Sequence, residues 1–231
     1  MIGKHKISVV IPCLNEEKGI VATIKKVPGF VDEIVVADNG STDSSAKVAR
    51  EAGARVVAEK RRGYGYALKA GIGAATGDII ITADADATYP VEDSAGIVKY
   101  LLDNDLGFIS CNRLPLINKG SMGFTNILGT RVLNFLALLL FQKRFRDILT
   151  GMWVFRKDCY KKLTLVDNKW NFSEEIKIEA ARKCRFGEFH VPHHVRVGET
   201  KMIKWRVGVG NAAFLFWKRV FPERLFPVFR D

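Results

Sequence analysis

The residues of this chain whose types and spacing most directly suggest chemistry are Asp84 and Asp86, two carboxylates one residue apart. They follow Asp78 to Ala83, a short β-branched segment typical of a buried strand, and precede Pro90, which stops a strand. In a parallel α/β sheet, ligands bind just beyond the carboxyl ends of the strands. Two carboxylates there can hold a divalent cation together with the phosphates that it accompanies. A strand followed by an acidic turn is the plainer interpretation, so the rest of the chain must decide.

The composition describes a folded and strongly basic protein. Its 231 residues can bury one good core, and a hydrophobic content of 48% is ordinary for a globular chain. The formal net charge of +11 predicts attraction to polyanions, which include nucleic acid, anionic lipid headgroups and phosphorylated substrates. Acidic residues at strand ends would repel nucleic-acid phosphates unless a cation intervened, so we expect no nucleic-acid partner.

Cysteine usage and apolar stretches bear on the cellular compartment. The four cysteines are scattered and form no CxxC pair, which indicates neither a zinc site nor a disulfide framework and fits a reducing cytosol. The first residues run directly into a strand-like segment, so we expect no signal peptide. The longest apolar stretch, Val132 to Phe141, is about half the length of a spanning helix. It is either part of the core or an apolar face at the bilayer, and most of it is expected in the core. We therefore expect a cytoplasmic chain that does not cross a membrane by itself.

Strand-like and helix-like segments alternate through the first half of the chain. This alternation predicts an α/β fold with a mostly parallel sheet and helices on both of its faces. The expected strands are Ile7–Pro12, which Pro12 ends, Glu33–Asp38, Ala54–Ala58 and Asp78–Ala83. The expected helices are Glu17–Lys26, about Asp43–Ala52 and about Tyr66–Ala75.

The second half of the chain is less regular, and its pattern mixes strands, helices and a long loop. The expected elements are a helix at Val91–Asn104, a strand at Leu106–Cys111, a long loop or broken segment at Asn112–Gly129, an apolar helix at Thr130–Gln142, a strand at Met152–Phe155, a helix at Ser173–Lys183 and a last strand at Phe189–Pro192. No Gly-, Ser- or Pro-rich linker and no internal repeat interrupts the chain, so we predict a single domain. We place this domain at residues 1–210 and an amphipathic segment at residues 211–231.

Four segments of the chain together resemble family 2 glycosyltransferases with the GT-A fold. They read VVIPCLNEE, VVADNGSTD, KRRGYGYALKAGIGAATGDIIITADADATYP and VRVGETKMIKW, and they cover most of the chain in the family's order. Within the family they look most like the polyprenyl-phosphate branch, the dolichol-phosphate mannose and glucose synthases. The resemblance implies a Rossmann-like GT-A sheet and an inverting, metal-dependent hexosyltransferase. Its donor would be a GDP- or UDP-hexose, its acceptor a polyprenyl (dolichyl-type) phosphate, and its cofactor Mg²⁺ or Mn²⁺.

The resemblance also implies a nucleotide site at the carboxyl ends of the first two strands. Binding of the base and ribose falls to Pro12, Asn15, Glu16 and Asp38. A basic loop containing Gly63 would approach the nucleotide sugar closely, because glycine leaves room for a ligand beside the backbone.

The metal set implied by the resemblance is Asp84, Asp86 and Thr88. Asp84 matches the first Asp of the family's DxD motif, close to the ribose and diphosphate, and Asp86 matches the metal ligand. Thr88 stands where the branch often has a glutamine ligand. A hydroxyl is a weaker ligand, so coordination would depend more on water and diphosphate oxygens.

On the acceptor side, the resemblance assigns phosphate binding to basic residues. Arg113 and Arg131 match the positions that receive the polyprenyl phosphate, although a solvated helix residue is an alternative interpretation of Arg131. Thr150, in the turn DILTG, would donate a hydrogen bond to the phosphate. Arg196 and Lys201 belong to a loop that would close over the donor diphosphate and neutralise the charge of the leaving group.

The segment 211–231 combines aromatic side chains with Lys and Arg, which suits a helix in the membrane interface and predicts peripheral attachment. A phosphate acceptor is already an anion near neutral pH and needs little general base, so catalysis would depend on positioning and electrostatics. One alternative is a sugar or glycolipid hydroxyl acceptor, with Glu174 or Glu175 as base. The other is a non-catalytic module that binds membrane surfaces. The sugar, the nucleotide, the metal, the acceptor length and the oligomeric state stay open.

Overall fold

The computed structural model describes residues 2–197, 204–224 and 226–227. Its strands are β1 (Ile7–Cys13), β2 (Glu33–Asp38), β3 (Arg55–Ala58), β4 (Ile79–Thr82), β5 (Phe108–Asn112), β6 (Trp153–Arg156) and β7 (Phe186–His190). They form one sheet in the order β3-β2-β1-β4-β6-β5-β7. Every neighbouring pair is parallel except the two pairs that β6 makes with β4 and β5. The predicted mostly parallel α/β sheet is confirmed.

Helices cover both faces of this sheet, as the alternation of elements predicted. They are α1 (Glu17–Lys25), α2 (Ser45–Glu51), α3 (Tyr64–Ala74), α4 (Ser94–Asp103), α5 (Phe124–Phe141), α6 (Lys157–Tyr160), α7 (Phe172–Lys183) and α8 (Lys204–Val220). Helices α1, α2 and α4 pack into the core on one face, and α3, α6 and α7 pack into the core on the other. All four residues of β4 are buried, because a central strand of a sheet covered on both faces has no solvent-exposed side.

The strand directions bring several loops to one edge of the sheet. Because β1, β2 and β4 are parallel, and β5 regains that direction through the antiparallel β6, their carboxyl ends meet there. Asp38 is the last residue of β2, and Asp84 and Arg113 follow the ends of β4 and β5. The first strand was expected to end at Pro12, but it continues to Cys13, with Pro12 opposite Ala37 near the end of the ladder.

The apolar helix of the second half differs most from its prediction. Helix α5 begins at Phe124, inside the segment expected to be a loop, and is 18 residues long. Among the described residues it is the one helix long and apolar enough to span a membrane by length and composition alone. Few of its side chains are buried, so the expectation of a short stretch mostly in the core is wrong. The expected loop ended at Gly129, but in the structure this residue lies inside the helix, and a Cβ there would meet open space.

A third apolar cluster joins α5 to α8. It contains Leu133 and Ala137 of α5, Ile178 of α7, and Phe214 and Leu215 of α8. Helix α8 therefore covers part of the domain with one face, and it begins at residue 204 rather than at the expected 211. The division at residue 210 stays a prediction, whereas the single α/β domain is confirmed.

A disulfide links Cys159 in α6 to Cys184 at the end of α7, across 25 positions of sequence. The expectation that the cysteines form no disulfide is therefore wrong for this pair. Both cysteines pack around Gly107, just before β5, and this tertiary proximity leaves no motif in the sequence. Cys13 and Cys111 are free and buried in the core.

Candidate active site

The loops after β1 and β2 are tied together by hydrogen bonds at the predicted nucleotide site. The Asn15 carboxamide oxygen accepts from the Thr42 amide at 2.7 Å, and the Asn15 amide donates to the Ser41 hydroxyl at 2.9 Å. The Glu16 amide donates to the Ser45 hydroxyl at 2.8 Å. Pro12 and Asp38 lie on the adjoining strand ends, so the structure brings the four predicted base and ribose residues to one place.

The basic loop after β3 is held by Asn39, a residue that the sequence reasoning missed. Its amide nitrogen donates to the carbonyls of Glu59 at 3.1 Å and Arg61 at 2.8 Å, and its oxygen accepts from the Gly63 amide at 2.7 Å. Gly63 has φ 151°, and a Cβ there would lie 2.3 Å from the Asn168 carbonyl oxygen. The close approach that the structure shows at Gly63 is thus to the segment before α7.

Asp84 lies beyond the end of β4 in a partly buried niche. The Tyr64 hydroxyl donates to Asp84 Oδ1 at 3.1 Å, and a Cβ at Gly151 would lie 3.1 Å from the carboxylate oxygens. Burial raises the pKa of Asp84 to about 7, and the charge of Asp86 adds to this increase. Tyr64, which the sequence reasoning also missed, stands directly after Gly63 in the glycine-containing motif, and that position was the available signal.

Asp86 is buried in the turn that follows Asp84, and both of its carboxylate oxygens are hydrogen-bonded. Oδ1 accepts from the Thr88 hydroxyl at 2.6 Å and from the Thr88 amide at 3.2 Å, and Oδ2 accepts from Arg196 Nη1 at 2.8 Å. Ala87 adopts the left-handed φ of 60°, and its amide donates to the Thr23 hydroxyl of α1 at 3.0 Å. The turn is thus held by its neighbours in one conformation.

The donor set at this turn fits a divalent cation that shares its ligands with a substrate. Mg²⁺ is commonly bound through one or two carboxylates plus phosphate oxygens and water. Within the described ranges, no group of three or more His, Cys, Asp and Glu side chains forms a complete protein cage. Asp84 and Asp86 instead place two negative charges close together, which helps to raise the pKa of Asp84. A cation bound between them would neutralise this repulsion.

Across the site, Arg113 forms a bidentate ion pair with Asp147. Arg113 Nε donates to Oδ2 at 2.6 Å and Nη2 donates to Oδ1 at 3.0 Å, and both residues are mostly buried. The guanidinium also lies 5.9 Å from the centroid of the Tyr89 ring. Asp147 holds the pKa of Arg113 above its ordinary value, against the opposing effect of burial. Arg113 therefore presents a fixed positive charge, and neither Nη1 nor the second hydrogen of Nη2 is hydrogen-bonded to a residue in the described part of the chain.

Thr150 is fully buried in the turn that follows Asp147. Its hydroxyl donates to the Tyr89 hydroxyl at 3.3 Å, while its carbonyl accepts from Lys177 Nζ at 2.7 Å and from Trp153 Nε1 at 2.9 Å. The structure thus connects the predicted acceptor turn to Lys177, a buried base on α7 that the sequence did not single out.

Two of the predicted phosphate-binding residues are not brought together with the rest. Arg131 lies within α5 with an exposed side chain, and it makes no hydrogen bond or ion pair with any residue of the described part of the chain. Lys201 lies outside the described residues.

The two candidate general bases have different environments. The Glu175 carboxylate pairs with Lys218 Nζ at 2.8 Å and accepts from the Asp167 amide at 2.8 Å, so it has a structural role. Glu174 is fully buried, and its oxygens have no partner among the residues described. Burial raises the pKa of Glu174 well above its ordinary value, which favours the protonated acid at neutral pH.

The family model for glycosyl transferase family 2 matches residues 8–164, which run from the second residue of β1 through β6. The chain is a family 2 glycosyltransferase. An uncharacterized glycosyltransferase of Mycobacterium tuberculosis is 32% identical over 214 residues, covering 92% of this chain and 96% of the relative. A dolichyl-phosphate hexose transferase of Haloferax volcanii is 30% identical over 201 residues, covering 85% of this chain and 86% of the relative.

Solved structures agree with this family 2 glycosyltransferase in fold. Glucosyl-3-phosphoglycerate synthase from Mycobacterium tuberculosis, in complex with Mn²⁺, UDP and phosphoglyceric acid, matches with a TM-score of 0.73 and 22% identity. The match covers 94% of this chain and 79% of the synthase. At that identity the likeness shows the GT-A fold alone. The membership in family 2 and the GT-A fold that the sequence motifs implied are both confirmed.

Proposed function

We propose that this family 2 glycosyltransferase moves a hexose from a nucleoside-diphosphate sugar to a polyprenyl phosphate at the cytoplasmic face of a membrane. The observation that carries the proposal is the meeting of an acidic half-site and a basic half-site at one sheet edge. Asp84 and Asp86 form the acidic half, and Arg113 and Arg196 are close enough to lower the pKa of Asp84. The relative named as a dolichyl-phosphate hexose transferase supports this acceptor class.

In this proposal the chain mainly positions and neutralises charge. Asn15, Glu16 and Asp38 would hold the base and ribose, and Asp84, Asp86 and Thr88 would hold Mg²⁺ or Mn²⁺. The cation would supply Lewis-acid stabilisation of the departing diphosphate. The relative positions of the two substrates fix the line along which the acceptor oxygen reaches the anomeric carbon.

Arg113 would hold the acceptor phosphate beside the donor. Because Asp147 fixes its guanidinium, the charge is preorganised and needs no rearrangement when the phosphate arrives. A phosphate oxygen is already anionic near neutral pH, so the attack needs little help from a base. The raised pKa of Glu174 and the ion pair of Glu175 both disfavour the alternative of a hydroxyl acceptor that one of them deprotonates.

The lipid part of the acceptor requires a route to the bilayer, and the outward face of α5 is suited to it. Five large apolar side chains on this helix are 51% to 78% exposed and recur at spacings of three or four residues, so they share one face. They are Phe124, Leu128, Val132, Phe135 and Leu139. We call these five residues the outer face of α5. Val209, Phe216 and Val220 of the adjacent α8 are also exposed.

The charges around the outer face of α5 favour an anionic lipid surface as its partner. Residues 106–146 contain no Asp or Glu but six basic residues, and α8 also contains no Asp or Glu. The six are Arg113, Lys119, Arg131, Lys143, Arg144 and Arg146. An apolar helix face bordered by cations binds anionic bilayers by burial and electrostatic attraction together. Arg131 would then lie at the headgroups.

Vesicle sedimentation tests this membrane contact. We expect the wild type to bind vesicles that contain anionic lipid, and the double variant Val132→Glu with Leu139→Glu to lose most binding. Tyr100→Glu is the matched control, because Tyr100 is an exposed residue of α4 on the opposite face of the sheet. Equal binding by the wild type and the double variant would contradict the proposal, and a concentration-dependent dimer lost in the double variant would assign the face to a second copy.

A transfer assay tests the chemistry. We expect a radiolabelled GDP- or UDP-hexose to label a short-chain polyprenyl phosphate, and Asp86→Ala to reduce turnover at least about a hundredfold, in the range of a lost electrostatic contact. Activity of Asp86→Ala within a few-fold of wild type would contradict the metal assignment. Transfer to a sugar hydroxyl, abolished in Glu174→Gln, would establish the alternative acceptor.

A further inference from the structure

The guanidinium of Arg196 holds the same carboxylate that the proposed function assigns to the metal. Arg196 Nη1 donates to Asp86 Oδ2 at 2.8 Å, and Nη2 donates to Glu16 Oε1. Because Thr88 occupies the other Asp86 oxygen, both oxygens are bonded to donors of this chain. Oδ1 already accepts two hydrogen bonds from Thr88, so a cation that coordinates Asp86 through Oδ2 shares that oxygen with the Arg196 guanidinium.

The backbone around Arg196 is fastened to the same turn. The His194 amide donates to the Thr88 carbonyl at 2.8 Å, and the Val197 amide donates to the Asp86 carbonyl at 3.0 Å. We call residues 194–197 the arm. The arm places Arg196 between the loop after β1 and the turn after β4, where it bridges two acidic side chains from separate elements.

Like charges decide what happens when a metal arrives at Asp86. A divalent cation and a guanidinium on one carboxylate repel each other strongly at these distances, because the site is partly buried and poorly screened. The diphosphate of a nucleotide offers Arg196 a new partner, since a guanidinium binds phosphate oxygens in pairs. Arg196 Nε, which has no partner within the described residues, adds a free donor for that exchange.

We propose that Arg196 is a built-in competitor of the metal at Asp86, and that the donor diphosphate relieves this competition by taking up the guanidinium. The metal and the nucleoside diphosphate then bind cooperatively, because each weakens the ion pair that opposes the other. The metal alone therefore binds weakly, and it binds more tightly when the nucleoside diphosphate is also bound. This inference rests on the proposed donor site and adds a coupling between its two ligands.

Calorimetric titration measures this coupling without any catalytic turnover. Mn²⁺ is titrated into the wild type and into Arg196→Gln, each with and without a saturating nucleoside diphosphate. For the wild type we expect the diphosphate to strengthen Mn²⁺ binding by about tenfold or more, a usual size for coupled sites. For Arg196→Gln we expect Mn²⁺ alone to bind about tenfold more tightly than to the wild type, and the diphosphate to add much less.

Two further variants separate competition from general effects of charge and folding. Arg50→Gln removes the same charge from an exposed position on α2, where the side chain contacts only the Ala46 carbonyl, and should leave Mn²⁺ binding unchanged. Arg196→Lys keeps a charge that cannot bridge Glu16 and Asp86 in the same way, so we expect an intermediate affinity.

Three outcomes would overturn the inference, and they differ from one another. Equal Mn²⁺ affinity of the wild type and Arg196→Gln without nucleotide would show that Arg196 does not compete. An undiminished effect of diphosphate on the variant would assign the coupling to other residues. If the wild type bound neither Mn²⁺ nor the diphosphate, whichever was added first, the proposed donor site itself would be overturned together with this inference.

Discussion

At the scale of single residues, Lys177 makes the stability of this protein depend on pH. Its ammonium is fully buried, and burial lowers its pKa to about 7, although Asp147 and Glu174 favour the charged form. An unfolded lysine has a pKa of about 10.4, so between about pH 7 and 10 the unfolded chain binds a proton that the folded protein has released. The free energy of unfolding should therefore rise with pH across this window, by up to about 1.4 kcal/mol per pH unit from this residue.

Urea denaturation at several pH values checks this prediction. Lys177→Met should remove the rise that the wild type shows, because methionine does not titrate. Lys99→Met is the matched control, since Lys99 is an exposed residue of α4 paired only with Asp103. Parallel stability curves for the wild type and Lys177→Met would contradict the assignment.

The ion pair of Arg113 and Asp147 allows stability and catalysis to be separated. Asp147→Asn leaves a buried cation without its counter-ion, and we expect the free energy of unfolding to fall by about 3–5 kcal/mol. Replacing the pair by apolar residues, Arg113→Met with Asp147→Leu, should restore much of that stability. We expect hexosyl transfer to stay lost in the double variant, because the charge that we propose holds an acceptor phosphate is gone. A double variant that is both stable and active would contradict the role of Arg113.

At the scale of elements, the alternating pattern of the first half was sufficient to predict the sheet. The strand Glu33–Asp38 has the predicted bounds, and helix α1 ends one residue before its predicted end. Helix α4 begins three residues after its predicted start and ends one residue before its predicted end. These elements are buried along one side, so local periodicity records their packing. The carboxylates at the strand ends could be located for the same reason. Once the buried strands are predicted, the residues at their carboxyl ends are known.

The parts of the fold that the sequence did not predict depend on contacts between distant segments. Helix α5 begins at Phe124 and packs its inner face on α8 and α7, which are far from it in the sequence. Asn39 matters because its side chain hydrogen-bonds to the loop after β3, and Asp147 matters because it forms an ion pair with Arg113. Neither contact can be recognised from the sequence around these residues. The disulfide likewise reflects tertiary proximity.

The disulfide gives a prediction at this scale, because it joins α6 to the end of α7. Closing a loop of 25 positions should contribute about 3 kcal/mol to the free energy of unfolding. The double variant Cys159→Ser with Cys184→Ser should lose about that amount in denaturant unfolding. Wild type treated with a thiol reductant should match the double variant, and the buried Cys13→Ser variant should still respond to the reductant. An unchanged free energy of unfolding in the double variant would show that the disulfide does not stabilise the folded protein.

At the scale of the whole molecule, the candidate donor site draws its residues from separate loops. Asn15, Gly63 and Asp86 lie in the loops after β1, β3 and β4, and Asp38 ends β2. A nucleotide that contacts them all would therefore hold these segments together. A ligand that binds only the native protein raises its free energy of unfolding by about 2.7 kcal/mol at a hundredfold excess over Kd. Thermal unfolding with GDP, UDP, GDP-mannose and UDP-glucose, each with and without Mn²⁺, should therefore show a clear rise for one nucleotide family.

The pattern of these shifts distinguishes the donor site from general attraction to anions. A protein with a net charge of +11 binds many polyphosphates weakly, but such binding should be alike for the guanine and uracil nucleotides and should vanish at high salt. Binding at the candidate site should discriminate between the bases and depend on Mn²⁺, and Asp86→Asn should lose the Mn²⁺-dependent part alone. Equal shifts for all four nucleotides, unchanged in Asp86→Asn, would mean that the charge of the molecule, rather than the acidic turn after β4, attracts them.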